Sequence, residues 1–292
     1  MKVTNNYNLP QPFYKTLASF AGWKPKQSSI GVTTLISPPL PRMVKMTKWD
    51  EIEVDASDFI PILLGNVAHF VSESNTGEEA ISEEWLNLEL DGMKLVARLD
   101  RYEFKRKAII DYKVSKIAAF YDGVKEEWGL QLNIYAHLLR KKGYPVEKIE
   151  IHGILKDWSP GAGRSNPSYP KIGYQIFPVI IMEDEKVAEY INQRISLHKR
   201  AEQLILSEGI ERHWKEFLCT PKERWNSGDT WAVKKKNNKR ATALFQDELT
   251  AKRYLEKLGT NYVLEKRTGI DMNCLYYCNV RRVCEYGKSV CR

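Results

Sequence analysis

Three strand-like segments that lie close together in the chain constrain its fold more than any other feature. They span residues 85–90, 94–100 and 108–113 and show strand-like alternation of apolar and polar side chains. The elements predicted around them are, in chain order, helices at residues 60–74 and 128–142, strands at 149–157 and 173–182, and a long helix from Glu183. This order predicts a mixed α/β fold, with helices packed on the faces of a central mixed sheet.

The chain is long enough for one large domain with a small appendage. Its 292 residues divide by composition into three predicted parts. Residues 1–55 are rich in proline and are predicted to form an irregular segment that wraps around the core. Residues 56–208 form the predicted core. Residues 209–292 are charged, carry tryptophans and end in cysteines, so we interpret them as a C-terminal extension.

The charge of the chain favours a polyanionic partner. Its 45 basic and 37 acidic residues give a formal net charge of +8, and nucleic acid is the commonest partner of such proteins. One basic run, residues 234–240, follows Trp225 and Trp231. It is either a solvated loop or a patch that grips phosphates beside base-stacking aromatic rings. Since no apolar stretch suits a bilayer or a secretory signal, we expect a cytoplasmic protein that binds DNA and no membrane.

The segments 94–100 and 108–113 carry the residues that predict chemistry. Asp111 and Lys113 are two apart on one strand, so their side chains point to the same face. If the two segments are neighbouring strands, Asp100 lies beside Asp111. Two adjacent carboxylates repel each other unless a cation separates them, and hard oxygen ligands suit Mg²⁺ or Mn²⁺. Such an ion would polarise a phosphodiester and activate water, while Lys113 would stabilise the developing charge.

Acid-x-Lys alone is a weak signal, because the chain contains it elsewhere. Asp184-Glu185-Lys186 lies at the predicted start of a helix, where residues two apart diverge. Glu103-Phe104-Lys105 follows Asp100 by only three residues, which leaves no room for a second strand. Neither copy follows an apolar strand such as Ala108-Ile109-Ile110. The pattern therefore favours the copy at Asp111.

Two helical motifs add to this constellation. Gly65, His69 and Glu73 are four apart and share one helical face, so His69 is either a metal ligand that favours Mn²⁺ or a partly buried histidine. Gln131 and Tyr135 are one turn apart on the second predicted helix. Their polar ends either reach the active site or the DNA backbone, or they are ordinary packing residues.

The order His, Asp, Asp-x-Lys, Gln-x-x-x-Tyr resembles the RecB-type branch of the PD-(D/E)XK nucleases. That branch includes the CRISPR-associated four-cysteine nucleases and the AddB-like helicase-nucleases. The resemblance implies a restriction-endonuclease-like fold and a metal site formed by His69, Asp100, Asp111 and the main-chain carbonyl of Tyr112. It also implies catalytic roles for Asp100, Asp111, Lys113, Gln131 and Tyr135. The chain departs from the family at Arg98, near a position that often holds a small glycine.

The cysteines predict a second metal centre. Four of the five lie in the last nineteen residues, and the clustering favours a metal site over scattered core thiols: Cys274, Cys278, Cys284 and Cys291. The first three resemble the C-terminal cluster of the same branch, in which three cysteines and a distant fourth hold a [4Fe–4S] cluster. On that resemblance Cys219 is the candidate for the fourth ligand. The alternatives are Zn²⁺ bound by the four C-terminal cysteines, or reduced thiols without metal.

The residues and the resemblance together predict a metal-dependent DNA nuclease. Residues 29–39 and the stretch from Cys219 to Cys284 look like those of phage-encoded nucleases of this superfamily. We therefore expect an exonuclease for phage or mobile-element recombination, in the cytoplasm of a bacterial host, with a recombination or replication protein as a candidate partner. Two alternatives stay open. One is a non-catalytic nucleic-acid-binding protein with a zinc or iron–sulfur module, and the other is a nuclease subunit of a spacer-acquisition complex.

Overall fold

The strands of the core form one mixed sheet. The computed structural model describes residues 1–73 and 77–291, without the side chains of 71–73, and divides into two compact units, Met1–Phe217 and Leu218–Arg292. The strands of the first unit are β1 (Lys2–Thr4), β2 (Ser29–Gly31), β3 (Glu53–Asp55), β4 (Ala80–Leu90), β5 (Met93–Glu103), β6 (Ala108–Ser115), β7 (Lys148–Leu155) and β8 (Tyr174–Pro178). Its helices are α1 (Gln11–Ser19), α2 (Val32–Ile36), α3 (Pro39–Thr47), α4 (Ile60–Glu73), α5 (Glu126–Lys141), α6 (Pro160–Ser165), α7 (Asp184–Glu208) and α8 (Ile210–His213).

The six-stranded sheet has the order β2-β5-β6-β7-β8, and β4 also pairs with β5. The pairs β4–β5, β5–β6 and β7–β8 are antiparallel, whereas β2–β5 and β6–β7 are parallel. The parallel step from β6 to β7 runs through helix α5, as a crossover connection requires. Strand β6 is central, and Ala108, Ile109 and Ile110 at its start are fully buried. The prediction of a mixed sheet flanked by helices is confirmed.

Most predicted elements of the core match observed ones, but the strand predicted at 173–182 is limited to β8, Tyr174–Pro178. The strands predicted at 85–90, 94–100 and 108–113 are the later part of β4 and most of β5 and β6. The predicted helices at 60–74 and 128–142 correspond to α4 and α5, and residue 74 lies outside the described residues. The three strands and α5 could be predicted because their apolar side chains repeat with the period of the element and face one buried core. Helix α4 follows its predicted range although none of its described side chains is buried.

The prediction of an irregular N-terminal segment is wrong. Residues 1–55 contain two nine-residue helices, α1 and α3, and three short strands. Pro12 and Pro39 lie in the first turns of these helices, where the missing N–H costs no hydrogen bond and the restricted φ suits the helix. The first unit takes in this segment and continues past residue 208 to Phe217, because α8 packs against α3 and buries Ile210.

Helix α7 holds the C-terminal end of α2 through two basic side chains. Arg194 donates hydrogen bonds to the main-chain carbonyls of residues 35–37, which have lost their helical partners. His198 is fully buried, and its Nε2 lies 3.2 Å from the carbonyl oxygens of Leu35 and Ser37. Burial, followed by the charge of Arg194, lowers the pKa of His198 to about 4. The folded protein therefore keeps this imidazole neutral well below the pH at which an exposed histidine gains its charge.

The depressed pKa of His198 predicts loss of stability in mild acid. The unfolded chain protonates this imidazole below pH 6.5 while the folded chain does not until about pH 4, so stability is complete above 6.5 and falls between these values. Between pH 7.5 and 4.5 this effect lowers the free energy of unfolding by roughly 2–3 kcal/mol. Urea unfolding at both pH values should show a steeper loss for wild type than for His198→Gln. Equal losses of stability in the two proteins would contradict the assignment of this pH dependence to His198.

The second unit has its own small sheet, which the sequence analysis did not predict. Its elements are β9 (Thr230–Lys235), β10 (Ala243–Phe245), α9 (Glu248–Glu256), β11 (Tyr262–Arg267), a π-helical turn (Asn273–Tyr277) and α10 (Glu285–Val290). The antiparallel order β10-β9-β11 is packed against α9, and Ala232 and Val233 of β9 are fully buried. The lysine run starts inside β9, where Lys234 pairs with Glu265, and continues as an exposed turn at 236–240.

Among the described residues, no helix has the length and apolar character that crossing a bilayer requires.

Candidate active site

Strands β5 and β6 bring Asp100 and Asp111 together. The antiparallel pairing ends at Arg101 and Ile110, so the two aspartates are the next residues on their strands. Beyond this pair Asp100 reaches across to β6, where its Oδ2 accepts a hydrogen bond of 2.9 Å from the main-chain amide of Tyr112. The two strands thus hold both acids in one small volume, as their spacing in the sequence predicted.

Asp111 is the most deeply buried acid of this group, with 1% of its surface exposed. Gln131 on α5 donates from Nε2 to Asp111 Oδ1 at 3.2 Å and to Tyr135 Oη at 2.7 Å. Lys113 Nζ lies 2.6 Å from Asp111 Oδ2, on the same side of β6. Within the described part of the chain, no hydrogen bond reaches this buried oxygen besides that ion pair. A buried carboxylate oxygen that faces a single cationic group is suited to accept a divalent ion as well.

The electrostatics of the pair also favour a cation. Burial and the neighbouring charge of Asp111 raise the pKa of Asp100 well above its usual value, despite the amide of Tyr112 and the ammonium of Lys113. Each factor disfavours a second negative charge at this position. Burial also raises the pKa of Tyr135, so its hydroxyl stays protonated beside Gln131. With a positive ion at the acids, both carboxylates would be ionised together.

Two further side chains reach Asp100 from the neighbouring elements. His69 on α4 has its Nδ1 3.5 Å from Asp100 Oδ1 and 3.4 Å from Glu83 Oε1 on β4. The three residues offer an imidazole nitrogen and two carboxylate oxygens that all lie within 4.8 Å of one another. A mixed set of nitrogen and oxygen donors at this spacing is suited to a divalent ion such as Mn²⁺. The side chain of Glu73, on the same predicted face as His69, lies outside the described residues.

Glu83 is the member of this group that the sequence analysis missed. Ser82 pairs with Arg101 and Glu84 pairs with Leu99, so Glu83 lies opposite Asp100. The signal was present in the hairpin turn Asp91-Gly92, whose two residues have φ of 50° and 71°. A two-residue Asp-Gly turn sets the register of its strands, and counting back from it puts residue 83 across from residue 100.

The backbone at Glu83 is strained. Its φ is +56°, which is uncommon for a residue with a side chain and tends to occur at functional sites. The carboxylate is held by Arg98, whose Nε lies 2.5 Å from Glu83 Oε2. Both line an open cavity of about 320 Å³ together with Asn66, His69, Phe70 and Asp100. The departure from the family pattern at Arg98 therefore places a half-exposed guanidinium at the rim of the site.

The other acid-x-Lys copies lie elsewhere, as the sequence analysis expected. Asp184 is the first residue of α7, and its carboxylate contacts His137 at 2.9 Å. Glu103 ends β5 and pairs with Arg101 and Arg106. Tyr112 follows Asp111 on β6, and the metal-binding role of its carbonyl stays a prediction.

Four of the cysteines of the second unit are half-buried and lie near one another. Burial, followed by the charge of Glu223 and the thiols of Cys278, Cys274 and Cys284, raises the pKa of Cys219 to about 12. Burial likewise raises the pKa of Cys274 to about 12, with contributions from Cys278 and Cys284. The structure thus brings together the four cysteines that the resemblance selected. Cys291 is exposed, and its Sγ lies 3.3 Å from the main-chain oxygen of Cys274.

The spacing of the thiols bears on which metal they could hold. No three of the described cysteine sulfurs lie within 4.8 Å of one another. A tetrahedral zinc site, with Zn–S bonds of about 2.3 Å, needs sulfurs about 3.8 Å apart. A four-iron cluster binds each of its four thiolates to a different iron and so spreads them further.

Comparison with known proteins bears on the family of this chain. A phage-related exonuclease from Haemophilus somnus 129PT is similar in structure, with 19% identity over 62% of this chain and 96% of that one and a TM-score of 0.41. An alkaline exonuclease from Laribacter hongkongensis is similar at 9% identity over 71% of this chain and 99% of that one, with a TM-score of 0.40. No curated protein matches the sequence significantly. The family model of the PD-(D/E)XK nuclease superfamily matches residues 42–285. Since this match covers most of the chain, the protein belongs to the PD-(D/E)XK nuclease superfamily.

Proposed function

We propose that this nuclease is a divalent-metal-dependent DNA exonuclease. The observation that carries the proposal is the convergence of Asp100, Asp111 and Lys113, in which the Lys113 ammonium lies 2.6 Å from the buried carboxylate of Asp111 and Asp111 raises the pKa of Asp100. A bound Mg²⁺ or Mn²⁺ would supply Lewis-acid polarisation of the phosphodiester and a more acidic water. The residues that would hold it are His69, Glu83, Asp100, Asp111 and the main-chain carbonyl of Tyr112.

The remaining side chains have separate tasks in this proposal. Lys113 orients the attacking water and stabilises the negative charge that builds up on the phosphoryl oxygens. Gln131 keeps Asp111 in position, and Tyr135 in turn accepts from Gln131. Arg98, which is half-exposed at the rim of the cavity, contacts a phosphate of the bound strand.

The biological role rests on the resemblance to phage-encoded nucleases. We propose that the enzyme digests DNA ends during recombination or processing of phage or mobile-element DNA. A recombination or replication protein is the partner that such a role implies. The net charge of +8 supports a polyanionic substrate without identifying the polymer.

A digestion assay tests the proposed function. The full chain is incubated with end-labelled linear DNA, with closed circular DNA and with single strands, each in Mg²⁺, in Mn²⁺ and in chelator. We expect mononucleotides or short products from linear DNA with either metal, none in chelator, and intact closed circles. Absence of cutting under every metal condition, with DNA binding retained, would instead support the non-catalytic nucleic-acid-binding alternative.

Replacing Glu83 should weaken metal binding directly. Glu83→Gln keeps the shape of the side chain but removes one charged oxygen donor from the group with His69 and Asp100. We expect Mn²⁺ affinity, measured by titration calorimetry without DNA, to fall about tenfold or more. The matched control is Glu84→Gln, whose exposed side chain pairs with Lys142 and should leave Mn²⁺ affinity unchanged. Equal affinities in wild type and Glu83→Gln would remove Glu83 from the ligand set.

We further propose that Cys219, Cys274, Cys278 and Cys284 hold a [4Fe–4S] cluster with a structural role. The effect of the other three thiols on the pKa of Cys219 requires them to lie near it and supports this donor set. In the sequence, Cys219 precedes β9 and Cys274 follows β11, so the strands of the second unit's sheet lie between them. A metal centre bound to both cysteines would link the two ends of this segment and couple metal binding to the folding of the unit.

A further inference from the structure

Three aromatic side chains of the second unit are exposed side by side. Trp225 is 50% exposed, Tyr276 is 60% exposed and Tyr277 is 62% exposed. The rings of Trp225 and Tyr277 are 5.2 Å apart at 51°, and those of Tyr276 and Tyr277 are 6.4 Å apart at 70°. Isolated exposed aromatics are ordinary, but three in contact form a continuous π surface. We refer to these three residues as the aromatic platform.

The platform is held in place by the backbone beneath it. Trp225 has a φ of +54°, an uncommon conformation for a bulky residue that persists only where the surroundings enforce it. The amide of Met272 donates to the carbonyl of Trp225, and the amide of Asn273 donates to that of Arg224. These bonds tie the tryptophan turn to the π-helical turn Asn273–Tyr277, which carries both tyrosines.

A buried acid reinforces this junction. Asp271 is 7% exposed, and its carboxylate accepts from Arg224 Nε at 3.0 Å and from Asn226 Nδ2 at 2.7 Å. Tyr286 donates a third hydrogen bond to it. Because the residues on both sides of Trp225 are fixed to one carboxylate, the rings are presented without the entropy cost of ordering a loose loop.

The second unit also carries the net positive charge of the whole chain. Residues 218–292 contain 16 lysines and arginines and 8 aspartates and glutamates, a net charge of +8 that equals the +8 of the full sequence. The first unit, with the remaining 29 basic and 29 acidic residues, is formally neutral. A basic unit with an exposed aromatic surface has the two features by which proteins bind single-stranded nucleic acid.

We propose that the aromatic platform stacks on the bases of single-stranded DNA. The inference rests on the proposed function in one respect, that DNA is the polymer concerned. Single strands are favoured over duplex because an intact duplex covers the faces of its bases, whereas a separated strand exposes them to ring stacking. Stacking tolerates any base, so the platform would hold a strand without selecting its sequence. The substrate class of the enzyme is then DNA with a single-stranded region.

Binding measured in chelator tests the platform independently of cutting. The full chain is titrated against a fluorescent oligothymidylate and against a blunt duplex, with anisotropy as the readout. Tyr276→Ala and Tyr277→Ala should each weaken single-strand binding by about 5- to 150-fold, since stacking contributes about 1–3 kcal/mol per base. The salt dependence should stay at its wild-type slope, because no phosphate contact is removed. Tyr277→Trp should keep the wild-type affinity for single strands.

Controls separate the platform from general effects. Trp23 is 92% exposed in the first unit, so Trp23→Ala should bind as wild type does. If Trp225→Ala unfolds, the two tyrosine variants still decide the matter. Wild-type single-strand affinity in both tyrosine variants would overturn the proposal, as would an equal loss for duplex. A wild type that binds single strands through these rings but cuts no DNA would refute the nuclease assignment and leave the platform standing.

Discussion

Replacing Asp111 with asparagine should lower the rate of DNA cutting by about 10³-fold or more. The substitution keeps an oxygen for the hydrogen bond from Gln131 but removes the charge of the buried carboxylate. A divalent ion would lose one of its two principal anionic ligands, and a loss of about 4 kcal/mol in the activation barrier corresponds to this change in rate. The measurement is the initial rate of digestion of linear DNA at saturating Mg²⁺.

The folded state should survive this substitution. The amide relieves the repulsion by which Asp111 raises the pKa of Asp100, and this gain offsets the loss of the ion pair with Lys113. Thermal unfolding should therefore show no large loss of stability, in keeping with the trade-off between activity and stability at functional sites. The matched control is Asp184→Asn, the same change in the Asp-x-Lys copy at the start of α7. Cutting by Asp111→Asn at a rate close to that of this control would contradict the assignment.

The second large effect concerns the cysteines. Cys219→Ser should lose the iron and the visible absorbance of the anaerobically purified protein, whereas Cys291→Ser should keep both. The reason is that Cys219 is half-buried near the thiols of Cys274, Cys278 and Cys284, while Cys291 is exposed. Because metal binding is coupled to folding, Cys219→Ser should also make residues 218–292 sensitive to limited proteolysis. Elemental analysis, the absorption spectrum and the proteolysis pattern measure the three expectations.

The two serine variants discriminate between the alternatives. A zinc site formed by the four C-terminal cysteines would give a colourless protein that loses zinc in Cys291→Ser and keeps it in Cys219→Ser. Reduced thiols without metal would leave both variants like wild type in metal content and proteolysis. Either pattern would contradict the iron–sulfur proposal.

Much of the first unit could be predicted from the sequence because local patterns and tertiary packing agree there. Ala108-Ile109-Ile110 is an apolar run in a central strand, and Asp111 and Lys113 follow it with the period of two that puts them on one face. The same reasoning excluded Asp184 and Glu103, and the structure places both away from Asp111 in other contacts. Strand periodicity thus selected the Asp-x-Lys copy that the structure places beside Asp100.

What could not be predicted depends on long-range pairing. The short strand β2 pairs with β5, which follows it by more than sixty residues in the chain. A segment of three residues is too short for its hydrophobic pattern to predict this pairing. The sheet β10-β9-β11 could not be predicted because β10 has only three residues, and β9 and β11 have six residues each and end in basic side chains. Glu83 could be located only from the register of the β4–β5 hairpin, because no sequence motif marks it. Its signal, the Asp91-Gly92 turn, becomes informative only when the residues are counted across the two strands.

The most direct test of the central claim is a crystal structure with Mn²⁺, in which anomalous scattering locates the ion. The two-strand arrangement of acids predicts an anomalous peak within bonding distance of carboxylate oxygens of both Asp100 and Asp111, with His69 or Glu83 close by. A fully occupied ion that contacts neither aspartate, or no peak at this position at millimolar Mn²⁺, would contradict the account.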